Sequence, residues 1–173
     1  MVIVRTFGDA IVSQELSKEA WKKLSREFKW NEELLHKYLC EIDWEELSKN
    51  IEMLWTASIL ENFKDYIDWK TLSIYANEKL LTAKIIEQFA DQWDWHELSD
   101  NSNLKLSYAL LDKFADKWDW ERIINRWHDE ELYTPDFVER YKEFIPAEQF
   151  QGSYLWDALV DKRAAELEQE IMG

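Results

Sequence analysis

The chain has a single cysteine, Cys40, so no disulfide can close within it, and a reducing compartment suits it. Two prolines and three glycines in 173 residues leave little material for tight β-turns or long loops. There are three histidines and no glycine-rich phosphate loop, nucleophile elbow or H-E-x-x-H, so no catalytic residues are assigned and an enzyme is not expected. No apolar run approaches the ~20 residues of a membrane span. The opening MVIVRTFGDAIV lacks the basic region and long apolar stretch of a signal peptide, so a cytoplasmic, intracellular location is expected. Basic residues are also scarce. Lys and Arg number 21 against 36 Asp and Glu, a net charge of −15. That balance disfavours direct binding to nucleic acid or to anionic membranes. It favours a basic partner or imitation of a polyanion; the plain alternative is solubility.

Tryptophan, by contrast, is in excess, with 11 copies. A repeated motif is the simplest cause. Trp44, Trp69, Trp95 and Trp120 each follow an aspartate (Asp43, Asp68, Asp94, Asp119), at successive spacings of 25, 26 and 25. The segments read DWEELS, DWKTLS, DWHELS and DWERII, the first three sharing D-W-x-x-L-S. Trp21-Lys22-Lys23-Leu24-Ser25 is a degenerate earlier copy, and Pro146 marks a degenerate later one. A second column runs in phase with the first: Asn31, Thr56, Thr82, Ser107 and Thr134 open NEELLHKY, TASILENF, TAKIIEQF, SYALLDKF and TPDFVERY.

Both columns have the chemistry of helix starts. Asn, Ser, Thr and Asp side-chain oxygens accept the orphan backbone N–H groups of a first turn. Pro135, directly after Thr134, suits the first helical position. The residue before each cap (Trp30, Trp55, Leu81, Leu106, Tyr133) and the fourth after it (Leu35, Leu60, Ile86, Leu111, Val138) are apolar, the pattern of a hydrophobic staple. Glu46 and Glu97, three residues after Asp43 and Asp94, complete the sequence of a capping box. Each unit is therefore expected to hold a helix A of about three turns and a short helix B opened by Asp-Trp. Such a pair buries its apolar faces only against its neighbours.

The expected fold class is all-α: a short αα-repeat solenoid of about five units of roughly 25 residues with atypical capping ends. Residues 1–173 are read as one domain. Residues 1–12 form an N-terminal arm or short strand carrying Val2-Ile3-Val4, residues 13–150 the repeats, and residues 153–172 a C-terminal capping helix opened by Ser153. In organisation the repeat resembles tetratricopeptide and HEAT-type solenoids, with a shorter unit and without their consensus residues. The D-W-x-x-L-S unit, over roughly residues 13–150, is similar to Trp-rich tandem helical repeats of uncharacterised bacterial, phage and large-virus proteins. That resemblance implies an architecture, but no activity and no catalytic residues.

The repeated tryptophans are expected in the core; Trp69, Trp95 and Trp120 in particular should be largely buried. Trp127 and Trp156 fall outside the columns and are the candidate exposed anchors. His36 and Cys40 stand at the i, i+4 spacing of zinc ligands, but no second pair accompanies them, so neither metal nor cofactor is assigned. The fifth and ninth positions after each A-helix cap read Glu61/Asp65, Glu87/Asp91, Asp112/Asp116 and Glu139/Glu143. Like charges at i, i+4 cost a few tenths of a kcal/mol, and packing does not demand them. Lys84, Lys113 and Arg140 soften these columns, and the first unit breaks the pattern with His36 and Cys40. The expectation is a non-enzymatic protein-interaction module whose acidic ridge, or inner helix B surface, meets a basic protein. The alternative is a small acidic inhibitor of the phage anti-defence, anti-CRISPR-like or immunity type, filling the nucleic-acid groove of a nuclease. A solvated face propagated by duplication is the third reading of the ridge.

Overall fold

A computed structural model describes residues 7–173. Among these the chain forms twelve α-helices and no strand, an all-α protein. It divides into two compact units, Met1–Gln92 and Trp93–Gly173, although the repeat runs through the boundary without a break in pattern.

The first unit holds α1 (Phe7–Glu27), α2 (Glu32–Lys37), α3 (Trp44–Ser48), α4 (Ala57–Asn62), α5 (Trp69–Tyr75) and α6 (Ala83–Gln88). The second holds α7 (Trp95–Asp100), α8 (Tyr108–Lys113), α9 (Trp120–Ile123), α10 (Pro135–Tyr141), α11 (Ala147–Phe150) and α12 (Tyr154–Met172). The expected strand or arm at Val2–Val4 lies outside the described residues. Residues 7–12 are not part of an arm: they open α1, which no glycine or proline interrupts after Gly8.

Every expected A-helix cap is in place. The side chains of Asn31, Thr56, Thr82, Ser107 and Thr134 accept the N–H of the residue three on, and each cap has extended backbone. Asp43, Asp68, Asp94 and Asp119 do the same for the B helices. Pro146 stands at the cap of α11 without a side-chain bond.

The A helices are shorter than the three turns expected, at six or seven residues. Tyr38, Phe63, Phe89 and Phe114 leave the helical region as C-caps, with φ between −113° and −125° and ψ between 15° and 31°. The helix ends at this aromatic residue, and the next Asp-Trp starts a B helix a few residues later. Helices this short do not persist alone in water. They are held by burial: Leu35, Leu60 and Ile86 in the first unit, and Leu111, Phe137, Leu98 and Ile123 in the second, are fully enclosed. Each contributes roughly 1.5–3 kcal/mol.

B helices pack on B helices within each unit, α3 on α5 and α7 on α9, and α3 packs also on α1, whose last turns carry the degenerate Trp21–Ser25 copy. The serine of D-W-x-x-L-S is the polar part of this contact. Ser25 Oγ donates to Trp21 O (2.8 Å) and accepts the Asp43 N–H of the next repeat (3.0 Å). Ser99 Oγ donates to Trp95 O (2.6 Å) and accepts the Asp119 N–H (3.0 Å). The Asp43 N–H is thus taken by the preceding repeat's serine. The capping box expected with Glu46 is not closed, and Glu46 pairs with Lys49 instead.

The Asp-Trp indoles each lie against the aromatic that ends the next A helix. Trp44 meets Phe63 (5.3 Å between centroids), Trp69 meets Phe89 (5.6 Å), Trp95 meets Phe114 (4.8 Å) and Trp120 meets Tyr141 (4.8 Å). Trp44, Trp69 and Trp120 also donate their indole N–H to the carbonyl five residues back, which closes the turn between helices A and B. Trp120 is buried, and Trp69 and Trp95 are mostly covered but partly exposed, so the expected burial is graded along the column. A first-turn indole covers the rim of the neighbouring aromatic, while Trp93 and Trp118, one residue before the cap, fill the interior.

Candidate functional site

All eight carboxylates of the repeated pairs are solvent-exposed. Glu61, Asp65, Glu87 and Asp91 lie in the first unit; Asp112, Asp116, Glu139 and Glu143 lie in the second. They are not equivalent. Glu61 pairs with Lys64 (3.0 Å) and Glu139 with Lys142 (2.6 Å), so these lysines shield the columns along with the expected Arg140. Asp112 is exposed but engaged, a strut between helices rather than an unpaired charge. Its carboxylate accepts from Arg140 Nε (2.9 Å), Arg140 Nη2 and the Tyr141 hydroxyl (2.9 Å), which ties α8 to α10. Arg140 in turn lies over the Tyr108 ring (5.3 Å). The guanidinium beside it holds the Asp112 carboxyl below its ordinary range. Asp65, Asp116 and Glu143 make no hydrogen bond or ion pair among the described residues. Charge is unevenly shared: residues 1–92 carry 12 basic against 17 acidic side chains (−5), and residues 93–173 carry 9 against 19 (−10).

A second acidic cluster joins α7 to α9. His96 Nδ1 is 2.5 Å from Asp119 Oδ2, and Arg122 reaches Asp100 (3.1 Å) and His96 Nε2 (2.7 Å). The arginine has no acceptor lone pair, so His96 Nε2 accepts and the Nδ1 proton is donated to Asp119. This His–Asp pair has no free ring nitrogen to act as a base, and its aspartate already caps α9. It works as a clasp between helices.

The residue that sequence reasoning missed is Arg126, 2% exposed between α9 and α10. Its guanidinium donates to three carbonyls of the preceding repeat, Ser99 (2.8 Å), Asn101 (3.0 Å) and Leu104 (2.7 Å), and to His128 Nε2 (3.1 Å), and its Nε donates to Asp129. Asn50, in the same register six residues after its Asp-Trp tryptophan, donates to Ser25 O and Phe28 O (both 2.9 Å). At this register stand Asn50, Tyr75, Asn101 and Arg126; Asn50 and Arg126 are buried donors reaching back to carbonyls of the previous repeat, whereas Tyr75 is exposed, so the spacing alone does not mark the donors.

Of the two candidate anchors, Trp156 is half-buried with Phe150 edge-on at 5.4 Å; its position in the first turn of α12 turns it inward, so it is withdrawn as an exposed contact. Trp127 is 66% exposed. It borders an open hollow of about 870 Å³ within the second unit, with Leu104, Leu106 and Leu132 as apolar lining and Glu130 and Glu131 among its polar residues.

His36 lies against the Phe63 ring (4.6 Å) and Cys40 is a free, exposed thiol. Among the described residues no group of three or more His, Cys, Asp or Glu is placed to hold a metal ion, and no helix is long and apolar enough to cross a membrane. No family model, curated protein or solved structure matches this chain.

Proposed function

We propose that this protein is a non-enzymatic interaction module that offers carboxylates to a basic protein, chiefly through its second unit. The observation that carries this reading is the −10 balance of residues 93–173, where Asp116 and Glu143 stand exposed and unengaged beside the partly shielded Glu139. A row of like charges on α8, α10 and the turns after them raises the rate of encounter with a positive surface and makes it salt-sensitive. Asp112, locked to Arg140, is left out of the contact set. The likeness to Trp-rich tandem helical repeats accords with a scaffold role and brings no chemistry with it.

The test begins with affinity purification at low ionic strength, with duplex DNA and RNA as competitors. The reversed variant Asp116→Lys/Glu143→Lys is compared with the parent at two salt concentrations. The expected result is a captured basic protein, a loss of about tenfold or more in affinity for the variant at low salt, and a shallower salt slope. Equal affinities and equal slopes would overturn the reading. Capture of a nuclease that nucleic acid displaces would favour the alternative, an acidic inhibitor seated in a nucleic-acid groove.

A further inference from the structure

Trp127 alone among the eleven tryptophans is exposed, and its position is held rather than loose. Directly before it, Arg126 is clamped on the Ser99, Asn101 and Leu104 carbonyls, and its own N–H donates to the Tyr133 hydroxyl (3.1 Å). That hydroxyl donates in turn to Ile123 O (2.5 Å). Further along, Lys162 of α12 donates to Glu130 O (3.1 Å) and Tyr133 O (2.5 Å). The segment from 126 to 133 is thus pinned at both ends. An indole presented on a pinned segment gives up little entropy when a ligand settles on it. The ring neighbour of Trp127 is His128, edge-on at 5.3 Å, and the His128 Nδ1 is enclosed without a hydrogen-bond partner.

We infer that the hollow beside Trp127 seats an arginine side chain of a basic peptide segment, its guanidinium stacked on the indole and forked toward Glu130 or Glu131. The inference deepens the basic-partner reading and rests on it. Three observations converge: an exposed indole, an adjoining open hollow with leucine lining for the arginine stem, and two exposed carboxylates in a unit of charge −10. Lys105, also in the lining, opposes a cation, but the two glutamates outnumber it. Arginine fits better than lysine because a planar guanidinium can stack on the ring and still donate sideways to a carboxylate.

The experiment uses the full chain with fluorescein-labelled nona-arginine and nona-lysine peptides, followed by fluorescence anisotropy at low ionic strength. In parallel, the indole N–H signal of Trp127, identified by its loss in Trp127→Phe, is followed by ¹H–¹⁵N NMR as unlabelled nona-arginine is added to the parent. Trp127→Ala is expected to weaken nona-arginine binding by about 5- to 20-fold, Trp127→Phe by about threefold or less, and the effect on nona-lysine should be smaller. The Trp127 indole signal should move during the titration. If the parent binds nona-arginine but Trp127→Ala binds it equally and the indole signal stays still, the hollow is not the seat while the basic-partner reading stands. If neither peptide binds the parent at low salt, that reading falls and the inference with it.

Discussion

Replacing Arg126 by alanine tests the account of how consecutive units are joined. The guanidinium is fully enclosed and its donors serve three carbonyls, of Ser99, Asn101 and Leu104, together with the Asp129 carboxylate and His128 Nε2. Each hydrogen bond to a charged group contributes about 1.5–3 kcal/mol by mutation, and the five are not additive because they share one side chain. Removing one member of a buried charge pair typically costs 3–5 kcal/mol, since the carboxylate and the carbonyls are left without their donor. Arg126→Ala is therefore expected to lower stability by about 3–5 kcal/mol. Arg126→Asn should recover roughly 1–2 kcal/mol of this, because Asn50 in the same register reaches two carbonyls of its preceding unit with one amide. The measurement is urea denaturation of the full chain, followed by far-ultraviolet circular dichroism, for parent and both variants. A loss below about 1 kcal/mol for Arg126→Ala, or no difference between the alanine and asparagine variants, would refute the reasoning.

The half-burial of most Asp-Trp indoles makes the column graded. Trp120→Ala should cost about 3–5 kcal/mol and Trp69→Ala about 1–2 kcal/mol less, read from the same urea titrations; equal costs would contradict the graded burial. Asp112 supplies a pH dependence. Its carboxyl is held below the ordinary value of 3.8 in the folded chain, chiefly by Arg140, so the unfolded chain binds the proton more readily. The contribution of the Asp112–Arg140–Tyr141 strut is then fully present above the ordinary carboxylate range and is lost as pH falls through the depressed value. Thermal melts of the parent and Asp112→Asn between pH 7 and pH 3 should show a stability gap that narrows toward acid, and a constant gap would count against the strut.

What the sequence alone determined is what depends on neighbours in the chain. A cap is an interaction between a side chain and the N–H three residues on. Hence Asn31, Thr56, Thr82, Ser107, Thr134 and the four aspartates before tryptophan were legible as helix starts, and with them the all-α class and the alternation of A and B helices. The exposure of the eight repeated carboxylates was legible too, because it follows from helical period. Tertiary structure decided everything whose partner lies one unit away. Ser25 and Asp43 are 18 residues apart, Arg126 and Ser99 27 apart, Asp112 and Arg140 28 apart. No periodicity tells which side chain at a given register finds a carbonyl, a cation or open solvent. That is settled by how one helix pair lies on the previous one, which turned a repeated serine into a joint, made Asp112 a strut rather than a free charge, enclosed Arg126, and left Trp127 standing beside a hollow that its own unit does not fill.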